Sequence, residues 1–108
     1  MISIVEDREI VNRVLVGDKA AFGALIERHQ ASALAFSRRI LDPNEAEEAL
    51  EEAFLAAFLG LKALRAAGRF RAWLFGVVAN VSRYRLRRMR EGYFHDEQGG
   101  QMVIGFRL

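Results

Sequence analysis

The 108-residue chain contains no cysteine and a single proline, Pro43. Without cysteine it can form neither disulfides nor thiolate metal sites, and it has no thiol nucleophile. Its two histidines, His29 and His95, are too few for a metal centre built from histidine. Apolar runs such as Ala53–Leu59 fall far short of the roughly 20 residues that cross a bilayer, so no membrane segment is expected. The first ten residues carry Glu6, Asp7 and Glu9 in place of a basic stretch followed by an apolar one, which is not the pattern of a secretory signal. A cytoplasmic location is the expectation that follows. No nucleophile–base pair, metal-ligand cluster or phosphate-cradling glycine loop is visible, and Gly99-Gly100 is turn chemistry alone. The chain is therefore not expected to be an enzyme, nor to carry a cofactor or a metal.

What is present is a globular composition, 52% hydrophobic and 28% charged, sufficient for about one domain with a modest core. The net charge of +2 conceals an asymmetry. Residues 1–64 hold 7 Lys/Arg against 11 Asp/Glu, whereas residues 65–108 hold 9 against 3. Between Arg65 and Arg90 there are eight arginines and no acid. An acidic front and a basic back point to two different partners. The use of arginine throughout that stretch favours the planar, bidentate or stacking contacts that nucleic acids offer.

Periodicity predicts an all-α protein, a compact bundle of about four helices over residues 1–92, followed by a tail over 93–108. Ser3 and Glu6 have capping-box spacing and open a first helix that stops near Gly17. Asp18 is placed to cap a second helix in which Phe22, Leu25, Ile26, His29, Ala33, Phe36 and Ile40 recur at helical intervals. His29 reads there as a partly buried packing residue. Asp42-Pro43 ends one helix and starts the next, with acids Glu45, Glu47 and Glu48 in the opening turns. This third helix is expected to run to about Leu64, with a loop over residues 62–68 and a fourth helix over residues 69–90. The apolar segment Met102–Leu108 after Gly99-Gly100 is open to reading as an edge strand, a linker or disorder.

At 100° per residue the third helix has two sides. Ala46, Leu50, Ala53, Phe54, Ala57, Leu61 and Leu64 form a core stripe, and Glu48, Glu51, Glu52 and Lys62 lie opposite together with Leu55 and Leu59. Either another helix of the domain covers these two leucines, or they are apolar anchors of a docking surface whose acids select a basic partner. The fourth helix divides in the same way. Leu74, Phe75, Val77, Val78, Val81 and Leu86 point to the core, and Arg69, Trp73, Gly76, Asn80, Arg83, Arg87 and Arg90 share the other side. Neighbouring arginines repel by a few tenths of a kcal/mol per pair, a cost that phosphate contacts offset. Asn80 can read a base edge, and Trp73 offers a face on which an unstacked base can rest. A solvated basic helix with a core tryptophan is the competing interpretation.

An ordered series of residues then becomes informative: Gly17-Asp18, Ala21-Phe22, Leu25, Arg39-Ile40-Leu41, Glu45-Ala46-Glu47, Glu52, Phe54-Leu55, Phe70-Arg71-Ala72-Trp73-Leu74, Ala79-Asn80 and Leu86-Arg87-Arg88. Over residues 7–90 the series resembles the second conserved region of extracytoplasmic-function sigma factors. The resemblance implies that the third helix meets the coiled-coil clamp helices of the largest RNA polymerase subunit through Glu48, Glu51, Glu52, Leu55 and Leu59. It implies that the fourth helix and the preceding loop engage minus-ten promoter DNA, partly single-stranded. Lys62, Arg65 and Arg69 would lie around a flipped base, with Trp73 near the upstream edge of the bubble and Val77 and Asn80 facing the last paired bases. Phe70 counts among the DNA-binding residues without a separate role. Arg71, Arg83, Arg87, Arg88 and Arg90 would grip phosphates.

The sequence departs from the family where Glu48 and Glu51 replace the usual Asp and Gln, and where Tyr84 replaces a common acid. The helix-turn-helix that reads the minus-thirty-five element does not follow, so either an excised domain or an atypical sigma-like regulator is expected. The competing function is a protein-interaction module, such as an anti-sigma target or a degenerate relative without promoter binding. An anti-sigma factor is in either case a possible partner.

Overall fold

The computed structural model describes residues 5–91, and these form four α-helices joined by short 3-10 turns. Helix α1 spans Asp7–Leu15, α2 Phe22–Ser37, α3 Pro43–Leu59 and α4 Phe70–Glu91. No strand occurs among the described residues. The expected cap at Ser3 and the expected tail over 93–108 lie outside them.

Helix α1 begins one turn later than the Ser3 spacing predicts. Glu6 stands at its N-cap, and the Glu9 side chain accepts the Glu6 backbone N–H at 3.3 Å. The chain leaves α1 through Gly17, whose φ of +120° strains any residue with a Cβ. Asp18 does not cap α2 with its side chain, because a 3-10 turn over Lys19–Ala21 intervenes and leads directly into Phe22.

Helix α3 starts as its sequence dictates. Asp42 Oδ1 accepts the Glu45 N–H at 2.9 Å, and Pro43 occupies the first turn, where no N–H is needed. It ends earlier than periodicity alone predicts. Gly60 caps it, and a 3-10 turn over Leu61–Ala63 redirects the chain, so Leu61 reaches the core from that turn and Leu64 is only half-buried.

The core is a single cluster drawn from all four helices, including Val11, Leu25, Ala53, Phe70, Leu74 and Val78. Phe22 lies edge-on to Phe58 and Phe70, with ring centroids 5.2 and 6.3 Å apart, the geometry that aromatic quadrupoles favour. On α3 an alanine recurs nearly every turn, at Ala46, Ala49, Ala53 and Ala57, and all four are completely buried. Side chains that small leave room for a neighbouring helix to pack close to that stripe, beside buried Leu50 and Phe54. The most extensive packing of α3 is against α4.

Two polar links, one buried and one partly buried, tie the helices together. The Ser37 and Ser82 hydroxyls, at the end of α2 and in α4, bond to each other at 2.9 Å. His29, expected to be partly buried, is 6% exposed and part of a relay. Its Nε2 lies 2.7 Å from Asp7 Oδ2 and its Nδ1 lies 3.3 Å from Arg71 Nη1. The guanidinium can only donate, so Nδ1 accepts from Arg71 and Nε2–H donates to Asp7, a tautomer assigned from this network. The relay joins α1, α2 and the first turn of α4.

Candidate nucleic-acid interface

The outward side of α4 follows from where its apolar residues fall. Phe70, Leu74, Val77, Val78 and Val81 recur at intervals of three and four and are buried, which turns the opposite side to solvent. On that side Arg69, Gly76, Arg83, Arg87 and Arg90 are exposed, and Trp73 and Asn80 are half-buried. The stripe read from spacing is thus a surface of the folded chain. The loop before α4 adds Lys62 and Arg65, both exposed.

Two residues assigned to this interface by resemblance are placed elsewhere. Phe70 is fully buried, packed against Phe22 and 5.7 Å from the His29 ring. Val77 is 1% exposed and belongs to the core stripe, as its own spacing indicated. The same periodicity that exposes Asn80 and Arg83 turns these two inward, so neither presents a side chain to a ligand. Arg71 is exposed but engaged within the domain, donating to His29 and lying 4.7 Å above the Phe75 ring. It acts first as an internal tie. Arg87 rests 5.8 Å from the Tyr84 ring, a cation–π contact that orders a cation at the surface. Arg88 is half-buried.

Chemically, the stripe offers guanidinium forks for phosphates and the Asn80 amide for a base edge, and Trp73 brings an indole that packs 6.1 Å from Phe70. Between Phe70 and Arg90 the described helix carries no acid to oppose an anionic ligand. Among the described residues no group of histidines and acids is placed to hold a metal.

The residue that sequence reasoning missed is Arg85, on the flank of α4 away from the stripe. Its Nε, Nη1 and Nη2 reach Glu45 at 3.1 Å, Glu52 at 2.8 Å and Glu48 at 2.6 Å. Burial alone would lower the pKa of its guanidinium. Hydrogen bonds and Coulombic attraction from Glu52 and Glu45 outweigh that penalty and raise it above its ordinary value. The spacing of Glu45, Glu48 and Glu52, three then four residues apart, was the available signal. It marks one acidic stripe on α3 that calls for one cation from a neighbouring helix.

This clasp divides the acidic side of α3. Glu48 and Glu52 turn toward α4, and Glu51 turns the other way, onto a groove between α2 and α3. The groove is floored by Phe22, Ile26 and Leu34 from α2 and by Leu50, Phe54 and Phe58 from α3. Glu47, Glu51 and Leu55 stand along its α3 edge. Leu55 and Leu59 remain 59% and 71% exposed, so no helix of the described domain covers them. Among the described residues, the internal reading of these leucines therefore finds no covering helix.

With this geometry in hand, comparison with known proteins assigns the family. The Sigma-70 region 2 family model matches residues 25–91. The chain belongs to the Sigma-70 region 2 family. Its match begins within α2 and runs through α4, taking in both the acidic and the basic faces of this sigma region 2 domain. Among curated relatives, an RNA polymerase sigma-H factor of Pseudomonas aeruginosa is 32% identical over 87 residues, covering 80% of this chain and 45% of that protein. The ECF RNA polymerase sigma-E factor of Haemophilus influenzae is 29% identical over 77 residues, 71% of this chain and 41% of that protein. The Escherichia coli ECF sigma-E factor is likewise 29% identical over 77 residues, covering 71% of this chain and 40% of that protein. The sigma region 2 chain thus spans less than half the length of these relatives. No solved structure gives a significant match.

Proposed function

We propose that the chain acts in transcription initiation as the part of a sigma factor that joins RNA polymerase core and engages melted minus-ten DNA. The observation that carries this reading is the acid-free stretch from Arg69 to Arg90, in α4 and the turn before it, where Arg69, Arg83, Arg87 and Arg90 are exposed and Trp73 and Asn80 half-buried, on a domain of the sigma region 2 family. The relatives are named as RNA polymerase sigma factors, and their roles come to this chain as proposals. The activity is binding, not catalysis, and its place is the cytoplasm, where polymerase and promoter are.

Lys62, Arg65 and Arg69 ring the loop that would hold an unpaired base, and Trp73 supplies a stacking face. Unstacking a base step costs a few kcal/mol, and base–aromatic stacking returns on the order of 1–3 kcal/mol. Arg83, Arg87, Arg88 and Arg90 supply the phosphate contacts that position the strand. Leu55 and Leu59 with Glu51 supply the polymerase-facing anchors, toward the clamp helices of its largest subunit. Glu48 and Glu52 join them only through carboxylate oxygens that Arg85 leaves available. An anti-sigma factor would act by covering the same leucines.

A randomised library of single-stranded oligonucleotides, selected on core polymerase carrying this chain, tests the reading. One motif should be enriched, bind more tightly than its scrambled version, and lose that preference in Trp73→Ala and Asn80→Ala. Equal affinity for motif and scramble would overturn promoter recognition and leave a protein-interaction module.

A further inference from the structure

The groove between α2 and α3 is open, apolar along its floor and acidic along one edge, and it encloses about 640 Å³. That volume lies in the range of sites that hold a drug-sized ligand, and it admits a few large side chains. The chain itself contains a segment of matching chemistry. Beyond α4, Met102, Val103, Ile104, Phe106 and Leu108 form an apolar stretch whose one charge is the basic Arg107. We propose that Met102–Leu108 docks into the α2–α3 groove of its own chain, its apolar side chains on Phe54 and Phe58 and Arg107 toward Glu47 or Glu51. The proposal is independent of promoter binding and extends to a partner only in that a docked segment would mask Glu51 and Leu55.

The connection is long enough. Arg85 lies beside Glu45, Glu48 and Glu52 in the first half of α3, so α4 runs antiparallel to α3 and ends near the α3 start. Glu91 lies six residues beyond Arg85, about 9 Å along the helix axis. The groove's lining reaches that end at Leu34 and Glu47 and continues along the two helices to Phe22 and Phe58. Reaching it requires passing around α3, a body about 10 Å across. Residues 92–101 span up to about 35 Å when extended, so the tether reaches with slack. A segment held this way is presented at an effective concentration near the millimolar range, and weak apolar contacts then suffice for occupancy. Glu47 and Glu51 favour a basic occupant over an acidic one, and Arg107 meets that condition.

The absence of native cysteine makes a thiol test clean. In the full chain, Gln30→Cys on the groove and Gln101→Cys before the segment leave every apolar anchor and both acids in place. Under mild oxidation and dilution, an intramolecular disulfide should form about tenfold faster than in the same double variant carrying Ile104→Asp and Phe106→Asp. Equal rates in the two proteins would overturn the proposal, because chance encounter through the tether would then explain the bond. Disulfide-linked dimers as the main product would also overturn it, because the occupant would be a second copy.

Discussion

Arg85 gathers three carboxylates around one guanidinium, and its side chain is 23% exposed, against 24% for Glu52 and 64% for Glu48. Exposed pairs contribute about 0–1 kcal/mol, while breaking a fully buried one costs about 3–5 kcal/mol. The half-buried Arg85–Glu52 contact belongs between these limits. A double-mutant cycle on Arg85→Met and Glu52→Gln, followed by urea unfolding, should return a coupling of about 1 kcal/mol. Zero coupling would mean that the clasp adds nothing to the packing of α4 on α3. Gly17 works through the backbone alone. A Cβ there meets no atom within 4 Å, yet φ is +120°. Gly17→Ala should therefore lower unfolding stability by about 1 kcal/mol without altering the core, as read by urea midpoint and unchanged near-ultraviolet signal.

At the scale of elements, α4 is a helix with two uses, and its outward arginines divide by what they touch. Arg83 and Arg90 are exposed, whereas Arg71 is tied to His29 and Phe75. Each phosphate contact releases counterions, so Arg83→Ala should reduce the slope of log affinity against log salt by about 1. Arg85→Ala should leave that slope unchanged, and an equal drop for both would place Arg85 on the DNA side after all. The helices themselves were legible because apolar spacing and the Asp42-Pro43 start are local properties. What escaped was non-local. Leu61 has core spacing but reaches the core from a 3-10 turn after Gly60, and Asp18 has a cap's position but is followed by another turn. Glu48 and Glu52 were legible as acids opposite the core stripe, but their shared contact with Arg85 on another helix was not. Val77 shows the reverse: resemblance placed it at the DNA, and helical period placed it in the core, where it is. Phe70, assigned to the DNA by resemblance alone, is buried on the same side of the helix.

For the whole molecule, the two exposed faces occupy different helices, with Leu55 and Leu59 on α3 and the arginine stripe on α4. Effects at separated sites add to within a few tenths of a kcal/mol. Leu55→Asp with Leu59→Asp should weaken retention on core polymerase by about 2 kcal/mol or more. Oligonucleotide affinity of the free chain should meanwhile stay within about twofold. Joint loss of both activities would indicate misfolding or a shared face.

The fully buried alanines of α3 lie between those two faces. A seam of methyl groups has no rotamers to switch, so it cannot absorb a push from one side by rearranging. Along that seam, fit is set by backbone separation instead of side-chain choice, so a larger residue at any of the four positions would have to push a neighbouring helix away. The spacing between the leucine face and the arginine stripe is thereby tied to four methyl groups.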